Sequence, residues 1–203
     1  MTEGADPRQR LDSDVLSRAI TGDRFALGEL WTAWNASLVR FLRSLRVEEP
    51  DDVAAEVWVD LARRMPDVGP DPEAFRRLLF TIGRRRAIDA RRFRLRRPVW
   101  LSDPHDHRQI SGSDPQVDTQ VEAEQIVQDL LAKLPRAHAE VIALRVVAGF
   151  NVAETADITG RSEGAVRQMA MRALRELKEH ATEMGFGSDE ASEKEICDFG
   201  VTN

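Results

Sequence analysis

The stretch from Asn151 to Gln168 constrains the fold of this chain more than any other. Asn151 and Glu154 stand at capping-box spacing, which starts a helix. Gly160 suits the left-handed position that ends one, and Ser162 is a good N-cap for the next. Two short helices joined by a turn make a helix-turn-helix, whose second helix is the kind that enters a DNA major groove. On a wheel of about 100° per residue, Val166, Met169, Ala170, Ala173 and Leu177 fall on one side of that helix. They are expected to pack against the helices before it. Gly164, Arg167, Gln168, Met171 and Arg172 fall on the other side, with Arg175 below them. Arginine can bond guanine bidentately, glutamine can do so to adenine, and an apolar tip can touch a thymine methyl. Arginines at the edges can hold phosphates instead. A solvated surface helix carries similar arginines, so it is the capped turn ahead that favours DNA.

A second basic feature lies earlier. Between Arg76 and Arg97 there are ten arginines and one acid, Asp89. The formal net charge of −6 hides this, because from Glu183 to Asp198 there are six acids and one lysine. For nucleic-acid binding the distribution of charge matters more than the sum. Each phosphate neutralised by such a row releases counterions, so affinity should fall steeply with salt. Phe80 and Phe93 lie among the arginines and could stack on unpaired bases. Both fit a core role as well.

Hydrophobic residues make up 42%, charged residues 32% and aromatics 6% of the 203 residues. Alanine, leucine, arginine and glutamate abound and β-branched runs are few, which predicts an all-α protein. One cysteine, Cys197, permits neither an intrachain disulfide nor a Cys-rich zinc site. No apolar run approaches the length of a membrane span, and the polar start does not read as a signal peptide, so a cytoplasmic protein is expected. His105-Asp106-His107 is too weak a pattern to predict a metal. There is no Gly-rich phosphate loop and no nucleophile elbow. The expectation is therefore no catalytic residue, no cofactor and no metal.

Residues 1–11 are polar and predicted to be disordered. Residues 12–97 form a first helical domain. Leu30, Trp34, Leu38, Phe41 and Leu45 mark one helix face within it, and Val53, Val57, Trp58, Leu61 and Met65 mark another. Asp71 and Pro72 start a further helix carrying Phe75, Leu79 and Ile82. Trp31, Trp34 and Trp58 are assigned to this first core. Residues 98–118 read as a flexible linker from their prolines and small polar residues. Thr119 and Glu122 have capping-box spacing, and residues 119–183 form the second small domain, ending in the helix-turn-helix. Residues 184–203 read as an acidic flexible tail.

These segments, taken in order, resemble the extracytoplasmic-function (ECF) sigma factors of bacterial RNA polymerase. Asp52-Val53-Ala54-Ala55-Glu56-Val57-Trp58 is similar to one family segment. Ala74-Phe75 through Ile82-Gly83, with Ile88-Asp89 and Arg92, is similar to a second. Leu134-Pro135, Val141-Ile142 and Leu144-Arg145 resemble a third, and Gly164-Ala165-Val166-Arg167 with Arg172-Ala173 a fourth. The resemblance implies core RNA polymerase and promoter DNA as partners. Asp51, Asp52 and Glu56 would dock on the clamp helices of the largest polymerase subunit. Asp67, Phe75, Arg77, Arg84, Arg85, Arg91 and Arg92 would serve the −10 element, where strands separate. Ser162, Gly164, Arg167, Gln168, Met171 and Arg172 would read the −35 element as duplex. The linker would thread the polymerase cleft, with Trp100 either an anchor in it or packed on the first domain. The resemblance also makes an anti-sigma factor a fair expectation; the chain would be a monomer when free. Ala55, Leu78 and Arg85 depart from the family pattern.

A different function is a free-standing helix-turn-helix regulator, in which residues 12–97 would sense a ligand or dimerise. Such a domain needs no row of arginines. A nucleic-acid enzyme lacks a visible catalytic constellation. The sigma-factor reading requires two separate cores with guanidinium groups available to DNA. The acidic tail, folded back on a basic face, would weaken DNA binding.

Overall fold

The structure is a computed structural model that describes residues 13–96 and 125–183, and every regular element among them is helical. Helix α1 (Ser13–Ile20) ends before Gly22, whose φ of 91° is a left-handed turn that glycine adopts without a Cβ clash. The Asp23 carboxylate then accepts a bond from the Phe25 N–H at 2.9 Å and caps α2 (Arg24–Ser44). Leu30, Trp34, Leu38, Phe41 and Leu45 are buried, so the three- and four-residue spacing in the sequence becomes the inner face of α2. Pro50 opens α3 (Pro50–Arg64), which buries Ala54, Val57 and Leu61. A short 3-10 turn (Met65–Asp67) follows. The Asp71 carboxylate accepts from the Glu73 N–H at 3.0 Å where α4 (Pro72–Arg96) begins. α4 buries Phe75, Leu79, Phe80, Ile82 and Ala87 against α2 and α3.

The second half starts with α5, described over residues 125–133. Then come α6 (Arg136–Ile142), a π-helical turn (Ala143–Val147), α7 (Val152–Thr159) and α8 (Glu163–Glu183). Two small apolar clusters hold it together. Leu131, Leu134, Ala139 and Ile142 meet Ala173 of α8; Val141 and Ala156 meet Val166.

Neither cluster contains Phe150. Its ring, with Ala143, Leu144, Ala148 and Ile158, joins the large cluster of the first half. Phe41, Phe80 and Phe150 form an edge-to-face series with centroids 5.4 and 5.2 Å apart. The two helical parts therefore share apolar surface, where the sequence reading requires two separate cores; that requirement is too strict, because Arg85, Arg91 and Arg92 of α4 stay exposed beside the shared cluster. The physical reason is size. Parts this small leave apolar faces that their own helices do not cover.

Two further expectations are corrected. Trp31, assigned to the core, is half-exposed, because it lies off the buried face of α2 that carries Leu30 and Trp34. Phe75, assigned to the −10 element, is fully buried and packs near Trp58 with ring centroids 6.5 Å apart. Trp34 is buried as expected, and the Trp58 indole N–H donates to the Asn35 side-chain Oδ1 at 3.0 Å. Trp100, His105, His107, Thr119, Glu122, Cys197, the linker and the acidic tail lie outside the described residues.

Candidate nucleic-acid interface

The helix-turn-helix is built as its residues dictate. The Asn151 side chain accepts from the Glu154 N–H at 2.9 Å, and the Glu154 carboxylate accepts from the Asn151 N–H at 2.8 Å. This reciprocal pair satisfies two donors that the first turn of α7 would otherwise leave open. Gly160 ends α7 at φ 67°, ψ 33°. The Ser162 hydroxyl accepts from the Ala165 N–H at 3.3 Å and caps α8. Val166 and Ala173 are buried, which fixes the rotation of α8 about its axis. As a result Ser162, Gly164, Arg167, Gln168, Met171 and Arg172 all face solvent, and Met171 is 69% exposed. Nothing lies within 4 Å of where a Cβ on Gly164 would be. Arg167 is held by Glu163 at 2.6 Å, one turn back.

Two arginines outside the expected set stand beside this face. Arg145, in the π-helical turn, donates to the Phe150 carbonyl at 3.2 Å. Burial holds its pKa below the ordinary arginine value, and the nearby positive charge of Arg167 adds to that. Arg161 sits in the turn between the two helices and bonds the Glu140 carboxylate at 3.1 Å. The turn position was the available signal for Arg161. Arg145 gave a signal only as part of a motif, because its neighbour Arg167 is distant in sequence.

The arginines of α4 divide into groups. Arg85, Arg91 and Arg92 are exposed, Arg92 lying 3.8 Å from Asp89. Arg86 turns to α3, bonding Asp60 and, at 3.0 Å, Glu56; the Asp60 bond raises its pKa despite some desolvation. Arg94 pairs with Glu48. Arg76, Arg77 and Arg84 reach the other half. Arg77 lies 3.8 Å from Asp157, and the Arg84 Nε donates to Glu140 at 2.7 Å. Arg76 lies 3.4 Å from Glu154, with its guanidinium 4.4 Å from the Phe150 ring centroid and 5.9 Å from that of Trp34. The availability expected of Arg77 and Arg84 is thus altered. In this arrangement both already bind carboxylates. The side chain of Asp67 lies outside the described residues.

On α3, Asp51, Asp52 and Glu56 are exposed. Asp51 is 3.6 Å from Arg43, and Glu56 is the carboxylate that accepts from Arg86. Asp52, Ala55, Glu56 and Val59 share one side of the helix by their three- and four-residue spacing, and all four are exposed. This is an acidic surface with an apolar centre. Among the described residues, no group of three or more His, Cys, Asp and Glu side chains is placed to hold a metal.

Residues 124–177, from α5 into α8, match the family model for sigma-70, region 4. The ECF RNA polymerase sigma factor SigD of Mycobacterium tuberculosis strain H37Rv is 31% identical over 185 residues, which span 87% of this chain and 86% of SigD. The chain belongs to the ECF sigma factors. ShbA, an ECF sigma factor of Streptomyces griseus, is 28% identical over 175 residues, spanning 81% of this chain and 92% of ShbA. A solved structure of CnrH in complex with the cytosolic domain of CnrY aligns with a TM-score of 0.60 at 26% identity, over 87% of this sigma factor and 99% of the solved chain. The relatives span both halves, so the first half is part of the sigma factor. It is not a sensor domain attached to a free-standing regulator. As a sigma factor the chain is a DNA-binding subunit of transcription initiation and not an enzyme. No helix among the described residues is long and apolar enough to cross a membrane.

Proposed function

We propose that the two halves act on different forms of promoter DNA. α8 enters the major groove of the −35 element. Arg167 and Gln168 face base edges there, Met171 meets a thymine methyl or sugar, and Arg172 and Ser162 reach the flanking strand. α4 holds the separating strands of the −10 element through Arg85, Arg91 and Arg92, joined by Arg77 and Arg84 when these leave their carboxylates. Capturing unpaired bases offsets an unstacking cost of about a few kcal/mol per base, so melting needs no nucleotide hydrolysis. The acidic face of α3, with Asp51, Asp52 and Glu56, docks on the clamp helices of the polymerase. The observation that carries this reading is the solvent-facing row on α8, a helix capped at its start by Ser162 and preceded by α7 with both its caps in place.

The experiment is reconstitution with core polymerase on a promoter selected from a randomised library. Permanganate reactivity reports open −10 thymines, and nuclease protection reports the −35 element. Replacing Arg85, Arg91 and Arg92 by alanine should abolish permanganate reactivity and keep −35 protection. Replacing Arg167 and Gln168 should remove −35 protection first. Loss of both signals together from either variant would refute the division of roles.

In this reading the sigma factor is a monomer when free and works in the cytoplasm, where polymerase and chromosome are. An anti-sigma factor would hold it inactive. Support comes from CnrH, whose solved structure includes the cytosolic domain of CnrY.

A further inference from the structure

Arg136 opens α6 in surroundings that do not suit a cation. It is half-buried, and burial is the first cause that pushes its pKa below the ordinary arginine value. The repulsion of Arg91, Arg46 and Arg84 adds to that, Arg91 most strongly. A charge withdrawn from water is ordinarily paired. Glu140, one turn along α6, offsets the repulsion in part, yet both of its oxygens are engaged elsewhere. Its Oε1 accepts from Arg84 at 2.7 Å and its Oε2 from Arg161 at 3.1 Å. Among the described residues, neither Arg136 nor Arg91 has a carboxylate at ion-pair distance. Three segments bring these cations together. Arg84 and Arg91 are seven residues apart, so they share the side of α4 that meets α6 through the Arg84–Glu140 bond. Arg46 lies between α2 and α3 at a φ of 57°, a conformation that residues other than glycine rarely adopt. It donates to the Ala132 and Leu134 carbonyls at 2.5 and 2.7 Å, just ahead of Arg136 in the chain. Backbone held in such a conformation is often found where a ligand is clamped.

We infer that Arg46, Arg91 and Arg136 form a binding site for a compact, multiply charged phosphate of the diphosphate type. A guanidinium presents a fork of N–H donors that fits phosphate oxygens two at a time. Several such forks around one point leave an excess of positive charge, which a singly charged anion does not balance. A DNA backbone offers the same oxygens, but with one charge per phosphate spread along a strand. A diphosphate concentrates its charge as the arginines concentrate theirs. Its oxygens would supply Arg136 with the partner that Glu140 does not. The site goes beyond the roles given to α4 above and does not depend on them; Arg91 alone is shared with the strand-holding set.

The test is isothermal titration of the full chain with sodium pyrophosphate at low salt, with orthophosphate at matched ionic strength as the reference. Wild type should bind pyrophosphate at one site per chain, about tenfold tighter than orthophosphate, which engages fewer of the forks. Arg136→Gln and Arg91→Gln should each weaken pyrophosphate about tenfold or more, the loss expected for a hydrogen bond to a charged group. Arg64→Gln, exposed at the end of α3 and outside the cluster, should not weaken it. Thermal melts followed by circular dichroism give a second readout. Removing a half-buried, repelled cation should cost no stability, so Arg136→Gln without ligand should melt no lower than wild type. Pyrophosphate should raise the melting temperature of wild type, because it binds the folded state alone, and should not raise that of Arg136→Gln. Fluorescence anisotropy with single-stranded dT20 separates the two sources of phosphate. Arg136→Gln should leave dT20 affinity unchanged. Equal losses for dT20 and pyrophosphate would assign the arginines to a DNA strand and overturn the diphosphate site. No saturable binding to wild type, an equal loss in Arg64→Gln, undiminished binding in both Arg136→Gln and Arg91→Gln, or a lower melting temperature for ligand-free Arg136→Gln would each overturn it as well.

Discussion

A methyl group added at Gly83 would lie 2.9 Å from Leu38 Cδ1, and a buried leucine on a packed helix has little room to give. Gly83→Ala should therefore destabilise the sigma factor by about 1–3 kcal/mol in urea unfolding, the usual cost of overpacking. Gly69→Ala, where no atom lies within 4 Å, should have little effect; equal losses at both positions would show that α2 and α4 do not meet so closely. Arg167→Ala should cost about 1–3 kcal/mol at one −35 base pair if its contact is bidentate to guanine. Binding measured across all substitutions of that pair checks this, and a uniform loss on every sequence would mean a phosphate contact. At this scale the legible features were those that depend only on near neighbours. The Asn151–Glu154 box, the Gly160 turn and the Asp71 cap are set by residues within one helical turn, so spacing alone reveals them. Phe75 was given to the −10 element by the family resemblance, and its burial beside Trp58 shows a core role instead.

Helices carry the recognition. On α4 the arginines face several directions, and the acids that meet them decide which remain available. Arg85→Ala and Arg91→Ala should each lower the slope of log affinity against log salt by about 1, without changing −35 preference. An unchanged slope would mean that those side chains do not reach phosphates. On α3, Asp52→Arg should weaken binding to core polymerase by about tenfold, or about 1.4 kcal/mol, through the association rate more than the dissociation rate if the acidic face steers docking. Unaltered association in a surface-binding assay would move the docking surface elsewhere. The sequence pattern located α2, α3, α4 and α8 because their apolar positions recur with helical period, and α7 from its capping box and terminal glycine. It did not reveal the π-helical turn at Ala143–Val147, where the chain shifts register within a stretch that carries no proline or glycine. That turn is what carries Arg145 beside the reading face and lets Phe150 leave its own half.

Across the whole molecule, periodicity identified apolar faces and not their partners. Phe150, Leu144 and Ile158 belong to the second half in sequence, yet they complete the cluster of the first. Likewise, the arginine row announced an anion-binding surface without indicating that Glu140, Glu154 and Asp157 would fill part of it. Both results need contacts between residues far apart in sequence, which local pattern cannot encode. They also join the two halves physically, because carboxylates of the second half meet arginines of α4. The central claim is that one chain directs core polymerase to a promoter by reading duplex with α8 and holding open strands with α4. The most direct test is promoter-specific transcription by core polymerase with the purified chain, using wild type, the Arg167–Gln168 variant and the Arg85–Arg91–Arg92 variant side by side. Wild type should yield a defined transcript, the first variant should lose it on the native −35 sequence, and the second should lose it at the melting step unless the −10 region is supplied already unpaired. A defined transcript of equal yield from all three would contradict the account.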